Sequence, residues 1–368
     1  MKIIKSIVSD KLLVISFLVT LLTFFVGRPQ GKDIDWQTIG SLFMLMVVVQ
    51  TLQFLGIFKY LAFSLTKRVH DTRLLIGVIV LIAFFSSMLV TNDVSIITLI
   101  PLLALSISKT AIDPIFPVIL LCLAANLGSL LTPMGNPQNL FLFIHYNLTI
   151  KNFLLMGLPL SLVSLLLLEI MCGTIKPQKI QSLTITMPDL NKKQLVLALG
   201  GALFALLAIL KFVSLLWGIL ISVGIACLIS RKILQSVDYS ILLTFISFFV
   251  AISNISNSNF LVQLLKQTGN NTYHVYFISI FLSQFLSNVP TTFLLAPFTN
   301  HYYALFLGSN IGGLGTIIAS LANVLAFKQY LLHFSKKGGG YLIKFTIVSF
   351  ALLFILILAG VLLIFLKT

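Results

Sequence analysis

The string Thr91-Asn92-Asp93-Val94, with Pro101 nine residues past its Asn, returns as Ser287-Asn288-Val289-Pro290, with Pro297 nine residues past. A second shared phrase follows each copy. Asn126-Leu127-Gly128-Ser129-Leu130-Leu131-Thr132 and Asn310-Ile311-Gly312-Gly313-Leu314-Gly315-Thr316 keep Asn, Gly and Thr at identical spacing. All four phrases interrupt apolar segments. A duplicated chain with matching polar breaks inside apolar segments points to a transporter architecture, in which two structural repeats meet at a central site.

The chain is 58% hydrophobic and 9% charged, and apolar runs of span length recur from end to end, which excludes a soluble domain. Its net charge of +15 would point to nucleic acid in a soluble protein. Here it reads instead as basic residues holding loops on the cytoplasmic side, with membrane lipid as the surroundings and no nucleic-acid partner. Cys122, Cys172 and Cys227 fall in apolar spans at separations that match no metal site, and read as small fillers. Lys2, Lys5 and Lys11 precede the apolar stretch 12–27 as in a secretory signal, but no small-x-small cleavage site follows, so this is read as a retained first span.

A bilayer core of ~30 Å takes ~20 helical residues. That rule places nine crossings near 12–27, 39–58, 114–146, 153–173, 194–210, 214–230, 239–254, 308–333 and 341–366. Two longer stretches, about 74–108 and 273–307, hold the Asn motifs at their middles, each as a re-entrant hairpin or as two full spans. Either way the chain returns to the same side. With a cytoplasmic N-terminus, 18 of the 24 basic residues then lie inside, among them Lys59, Arg73, Lys176, Lys232 and Lys344, and only Arg28, Lys32, Lys151, Lys211, Lys266 and Lys367 outside. The motifs divide the chain into a first repeat (1–180), a linker with an inverting helix (181–211) and a second repeat (212–368). The span 194–210 has no partner in the first half, and one extra crossing turns a direct duplication into an inverted one. As hairpins, 74–108 opens inward and 273–307 outward.

Thr132-Pro133-Met134-Gly135-Asn136-Pro137-Gln138-Asn139 cannot continue a helix: proline removes a backbone donor and clashes with the preceding turn. Such a break exposes carbonyls, which suit cations, and a helix N-terminus, which suits anions. The second break, 308–316, reaches the same end with glycine, which lets backbone approach a ligand; close helix packing is the competing reading. Asp93 is the only acidic residue at the centre of either motif, and a carboxylate at membrane depth is costly enough to imply Na⁺ binding, proton carriage or helix capping. Glu169 sits near the inner end of its span, and His145, His274 and His301 near span ends. With no catalytic triad, zinc spacing or phosphate loop, an enzyme has little support.

The strings TNDVSIITLIPLL, NLGSLLTPMGNPQNLF, SNVPTTFLLAPF and GSNIGGLGTIIASLA together resemble the ion transporter superfamily. They look closest to citrate-transporter-like permeases, relatives of the divalent anion:sodium symporters and of the arsenite-permease and NhaD-type antiporter branch. The resemblance implies an all-α polytopic membrane protein built as an inverted repeat, with two re-entrant helical hairpins and two broken transmembrane helices, 114–146 and 308–333. It also implies a homodimer whose hairpin domain moves against a scaffold. Carried over, Asn92 and Asn288 are hairpin-tip residues. A coupling cation is expected at Thr91, Asn92, Asp93, Asn126, Gly128, Thr132 and Asn136, with Na⁺ itself on Asn92, Asp93 and Asn126. Substrate is expected at Asn92, Thr132, Pro133, Asn136, Asn139, Ser287, Asn288, Asn310, Gly312 and Thr316.

The resulting expectation is an ion-coupled secondary transporter of a small anion, citrate or another di- or tricarboxylate, in the cell membrane, with Na⁺ or H⁺ as coupling ion and no other cofactor. The alternatives are Na⁺/H⁺ exchange or export of arsenite or another oxyanion, with Asp93 titrating, and more remotely a channel.

Overall fold

The apolar runs have no water to satisfy their backbone within a bilayer, so each must close its own hydrogen bonds as helix. The computed structural model describes residues 11–27, 34–66, 69, 71–108, 110–179, 190–258, 262–263, 266–267, 269–334 and 338–367. In chain order these form α1 (Lys11–Thr23), α2 (Trp36–Phe54), α3 (Ile57–Thr66), α4 (Thr72–Val90), α5 (Asn92–Ile107), α6 (Ile115–Gly128), α7 (Pro137–His145), α8 (Ile150–Gly173) and α9 (Lys192–Ile209). There follow α10 (Leu215–Ile229), α11 (Lys232–Gln235), α12 (Tyr239–Ser256), α13 (Thr272–Leu286), α14 (Asn288–Leu295), α15 (Tyr302–Gly312), α16 (Leu321–Phe334) and α17 (Gly338–Phe365). Lys2, Lys5, Arg28, Lys32, Lys67, Arg68, Lys109, Lys336 and Lys337 from the charge pattern, and 181–189 of the linker, lie outside the described residues.

The helices follow the expected spans to within a few residues. Two short ones, α3 and α11, were not foreseen. The larger difference is in the second half, where the expected hairpin 273–307 is cut short. Pro297 lies in a 3-10 turn, Ala296–Phe298, and the broken helix starts at Tyr302, ahead of the expected 308. Pro101, its counterpart, is carried inside α5 without ending it.

The chain divides into two units: residues 1–55, 190–271 and 293–300 in one, 56–189, 272–292 and 301–368 in the other. In the first unit, α1 docks on α12 through Thr20 Oγ1, which donates to the Ser247 carbonyl at 2.8 Å, and Asn254 Nδ2, which donates to Thr23 Oγ1 at 3.0 Å. Gly218 of α10 faces Met44 and Ala208, and Gly201 of α9 faces Ile225, so small residues let these helices approach closely.

The second unit holds all four duplicated phrases, and its internal contacts define two ends. At one end Arg73 Nε donates to the Ile175 carbonyl (2.6 Å), the Ala111 N–H to Gln178 Oε1 (3.1 Å), and Lys344 Nζ meets Asp113 Oδ2 (3.0 Å). The starts of α4, α6 and α17 and the end of α8 therefore lie together. At the other end the rings of Tyr146 and Tyr302 are 5.6 Å apart, Thr272 Oγ1 is 3.0 Å from His301 Nδ1, and Lys367 Nζ lies 3.8 Å above the Tyr303 ring. The ends of α7 and α17 and the starts of α13 and α15 meet there. The hairpin α4–α5 thus opens at the first end and α13–α14 at the second, which is the inversion expected of the repeat.

Both tips reach the middle of a broken helix. Asn92 Nδ2 donates to Asn126 Oδ1 at 2.9 Å, midway along the run 115–145, and the Asn288 N–H donates to the Ala319 carbonyl at 2.9 Å, midway along 302–334. Loops between paired spans would lie beyond the ends of those helices, so these are hairpin tips. By length alone α4 is a candidate span, as are α2, α8, α9, α12 and α17, the six such helices among the described residues. The outward faces are as apolar as the core: Leu155, Leu162, Leu166 and Ile170 on α8 and Ile347, Phe354 and Leu358 on α17 are exposed. Only a lipid surround accepts such surfaces, and the fold is that of an all-α polytopic membrane protein.

Candidate functional site

The residue before each tip Asn has a strained backbone. Thr91 has φ 73° and ψ 151°, and Ser287 has φ 76°, a half of the map that L residues avoid at a cost of about 1–3 kcal/mol each. The bend reverses the chain within one residue and starts α5 and α14 directly on Asn92 and Asn288. Behind each tip, the threonine of the facing break holds the hairpin arm: Thr132 Oγ1 donates to the Met88 carbonyl and Thr316 Oγ1 to the Gln284 carbonyl at 2.9 Å. Met88 and Gln284 both lie four residues before their tip Asn.

The two breaks are built differently. In the first, α6 gives way to 3-10 turns at Ser129–Leu131 and Pro133–Gly135 before α7 restarts at Pro137, a residue suited to the first helical position because it has no N–H to leave unpaired. Asn136 precedes it in extended conformation, and its carbonyl accepts the N–H groups of Asn139 and Leu140. The second break has no proline, and the freed backbone is satisfied by side chains. Gln284 Nε2 donates to the Gly312 and Leu314 carbonyls, its Oε1 accepts the Thr316 N–H, and Asn323 Nδ2 donates to the Gly313 and Thr316 carbonyls.

Between the breaks runs a network of buried amides. Asn126 Oδ1 accepts from Asn92 Nδ2 and from Ser320 Oγ at 3.0 Å, while Asn126 Nδ2 donates to Asn323 Oδ1 at 2.7 Å. Cys122 Sγ, one turn earlier, lies 3.3 Å from Asn323 Oδ1. In a second group, Asn310 Nδ2 donates to Asn139 Oδ1 at 2.9 Å, Asn139 Nδ2 to the Ser129 carbonyl at 3.0 Å, and Gln138 Nε2 to Asn310 Oδ1 at 3.2 Å. All these side chains are almost wholly buried.

Of the residues expected at the site, Asn92 and Asn126 meet in the first group, and Asn139 and Asn310 in the second. Thr132 and Thr316 secure the arms, and Pro133 and Asn136 shape the first break. Asp93 lies in the first turn of α5, its N–H donating to Asn92 Oδ1 at 3.0 Å. Asn288 is tied to the second break through Ala319 and lies against Gly313, with Ser287 Oγ 3.4 Å from its Oδ1. Gly128 and Gly312 face hairpin arms: a Cβ at Gly128 would run into the Phe84 carbonyl, and one at Gly312 would lie 2.8 Å from Ser283 Oγ. Gln138 was read as part of the first break but not assigned to the site, and Gln284, Ser320 and Asn323 were not anticipated. Asn323 was within reach of the repeat, because the step from Asn126 to Asn310 also carries Asn139 to Asn323.

His145 ends α7 and His301 precedes α15, both at the second end. Glu169 lies in the last turns of α8, away from both amide groups in sequence, with Oε2 3.8 Å from the position of a Cβ on Gly77. Among the described residues no group of three His, Cys, Asp or Glu side chains could hold a metal ion. What the arrangement offers a ligand is the Asp93 carboxylate, amide and hydroxyl groups, carbonyls at the ends of α6 and α15, and helix N-termini at α5, α7, α14 and α16.

Comparison with known proteins bears on this geometry. A family model described as citrate transporter (CitMHS) matches residues 7–304. The inner membrane protein YbiR of Escherichia coli (strain K12) is 31% identical over 318 residues, covering 84% of each chain. An uncharacterised transporter of Methanocaldococcus jannaschii is also 31% identical over 318 residues, covering 85% of this chain and 86% of its own. The crystal structure of the YdaH transporter of Alcanivorax borkumensis, reported as having an unusual topology, superposes with a TM-score of 0.63 at 14% identity, covering 97% of this chain and 99% of that one.

Proposed function

The chain belongs to the citrate transporter family and is a multi-pass membrane transporter, and from that premise we propose that it is an ion-coupled secondary carrier of a small anion, citrate or another di- or tricarboxylate, working by alternating access. The observation that carries this reading is the buried amide network joining both broken helices, with a hairpin tip bonded directly into it. Carriers of this build place substrate where discontinuous helices end near the bilayer midplane.

No Lys or Arg lies in any of the four phrases. Anion charge therefore falls to the Asn amides, the Ser and Thr hydroxyls and the N-terminal turns of α5, α7, α14 and α16, each a partial positive end. These donors leave a di- or trianion short of compensation, and a co-bound Na⁺ or H⁺ near Asp93, Asn92 and Asn126 supplies the remainder. A cation that lowers the cost of the anion must, by linkage, be bound more tightly when the anion is present, which couples the two fluxes. The amide–amide bonds are neutral and exchangeable for ligand bonds, and strain at Thr91 and Ser287 favours tips that rearrange.

Arg73, Lys176, Lys179 and Lys344 cluster at the end where α4 opens, against Lys151 and Lys367 at the other, which supports a cytoplasmic first end and N-terminus in a cell membrane. The homodimer inferred from family resemblance belongs to the same reading. Asp93 gives a second reading some weight, exchange of Na⁺ for H⁺ or export of an oxyanion such as arsenite, because an acidic residue next to Asn92 suits a cation that competes with a proton. Thermal-shift screening of the purified protein separates them. Stabilisation by carboxylates that deepens with Na⁺ or at lower pH is expected; stabilisation by Na⁺ or arsenite alone would favour the second reading.

A further inference from the structure

The second amide group is a relay whose direction is fixed by backbone carbonyls. The Ser129 carbonyl can only accept, so the atom that Asn139 turns to it is Nδ2, and Asn139 Oδ1 faces Asn310. Asn310 Nδ2 donates both to that oxygen and to the Phe306 carbonyl at 2.8 Å, which leaves Asn310 Oδ1 as an acceptor. Gln138 Nε2 fills it. The relay therefore ends on Gln138 Oε1, which is buried and has no hydrogen-bond partner among the described residues, on a side chain with no exposed surface. No amide can be flipped to cure this without setting two acceptors or two donors face to face.

A buried acceptor without a donor is uncommon in a folded protein, and of the two amide oxygens so placed among the described residues, Gln138 Oε1 and Asn254 Oδ1, only Gln138 Oε1 belongs to the amide network of the broken helices. The chemistry of that partner is constrained twice. It must donate a hydrogen bond or be a cation, because the atom is a carbonyl oxygen. Gln138 is also the second residue of α7, at the partial positive end of that helix, which disfavours a cation and favours an anion. An anion that carries its own donor meets both conditions. The repeat places Ala322 at the equivalent point before Asn323, so the first half alone has this acceptor.

We infer that Gln138 Oε1 accepts the hydroxyl of a hydroxycarboxylate, which makes Gln138 the residue that separates hydroxy acids from their deoxy analogues. This rests on the carboxylate-carrier reading above and assigns a specificity to the same site.

The test is the dissociation constant of matched pairs, citrate against tricarballylate and malate against succinate, titrated calorimetrically into the detergent-purified full chain. The hydroxy acid of at least one pair should bind roughly tenfold more tightly than its analogue, the worth of one hydrogen bond in a buried site. Gln138→Met should bring that ratio near one; it also strands Asn310 Oδ1, so affinity for all four acids falls, and the ratio rather than either affinity is the readout. Gln138→Glu retains an acceptor and should keep the ratio even though both affinities fall, which serves as the readout if the Met variant does not fold. Equal binding of both pairs by the unaltered chain, or a ratio that survives in Gln138→Met or disappears in Gln138→Glu, overturns the inference and leaves the carrier reading standing. Binding of none of the four acids overturns both.

Discussion

Asn126 donates to Asn323 at 2.7 Å, and the residues 184 positions after the first and before the second, Asn310 and Asn139, make the same bond at 2.9 Å. The correspondence extends outward: Asn139 Nδ2 reaches the Ser129 carbonyl and Asn323 Nδ2 the Gly313 carbonyl, both at 3.0 Å and again 184 apart. Each of the two amide–amide bonds joins the first half of one broken helix to the second half of the other. The repeats are therefore clasped by two reciprocal amide pairs.

Removing one partner strands the others. Asn126→Ala leaves Asn92 Nδ2, Ser320 Oγ and Asn323 Oδ1 with a methyl group in their midst, and an unsatisfied buried polar group costs about 1–3 kcal/mol. A lower melting temperature in detergent and loss of transport are expected. In a double-mutant cycle, Asn126→Ala and Asn323→Ala should be strongly non-additive; additive effects would mean the bond contributes nothing.

Asn92 is bonded both to Asn126 and to the first turn of its own helix. Asn92→Ala should retain expression and oligomeric profile yet lose at least about a hundredfold in transport rate, the scale expected when positioning at the site is lost. Retained uptake would remove this tip from the site.

Asp93→Asn keeps the shape of the side chain and removes its charge. If Asp93 supplies the coupling position, uptake in this variant no longer responds to the Na⁺ gradient or to pH over the range where the unaltered protein does. Unchanged dependence on both would reduce Asp93 to a residue that stabilises the start of α5.

The repeat glycines face different obstacles. A Cβ at Gly128 collides with the backbone carbonyl of Phe84, whereas at Gly312 the contacts are looser, 2.8 Å to Ser283 Oγ, 2.9 Å to Ser283 Cβ and 3.1 Å to the Ile280 Cα, and of these only the hydroxyl can turn away. Gly128→Ala should destabilise by about 1–3 kcal/mol or prevent assembly, and Gly312→Ala should be milder. Equal melting temperatures for the two variants would contradict this ordering.

The inversion makes a topological prediction. With Cys227 replaced, Ser108→Cys at the open end of the first hairpin and His274→Cys at that of the second should react with an impermeant maleimide from opposite sides of the membrane, since both positions are exposed. Labelling from one side only would break the inverted arrangement.

Much of this fold was legible because its signals are local. Apolar run length marked the spans, and Pro133, Pro137 and the glycines of 308–316 marked the breaks. The early start of the second broken helix was not legible, since Pro101 and Pro297 look alike in sequence and only one is absorbed in a helix. The amide pairs join residues 197 and 171 positions apart, and no periodicity reports such a contact. Asn323 sits between Ala322 and Val324 in an ordinary apolar stretch, so only extending the repeat past Thr316 would have exposed it. Gln284 was hidden for a related reason: its counterpart is Met88, and a motif search sees no match where one repeat uses a side-chain amide and the other proline.

The most direct measurement is counterflow in proteoliposomes, with labelled citrate and a series of other small carboxylates taken up against an unlabelled internal pool, comparing the unaltered chain with Asn92→Ala and Asn310→Ala. Saturable, cation-dependent counterflow of at least one carboxylate, lost in both variants while each is inserted at normal levels, is the predicted result. Flux that rises linearly with concentration, or counterflow that survives in both variants, would contradict the claim that the amide network is where the carrier holds its substrate.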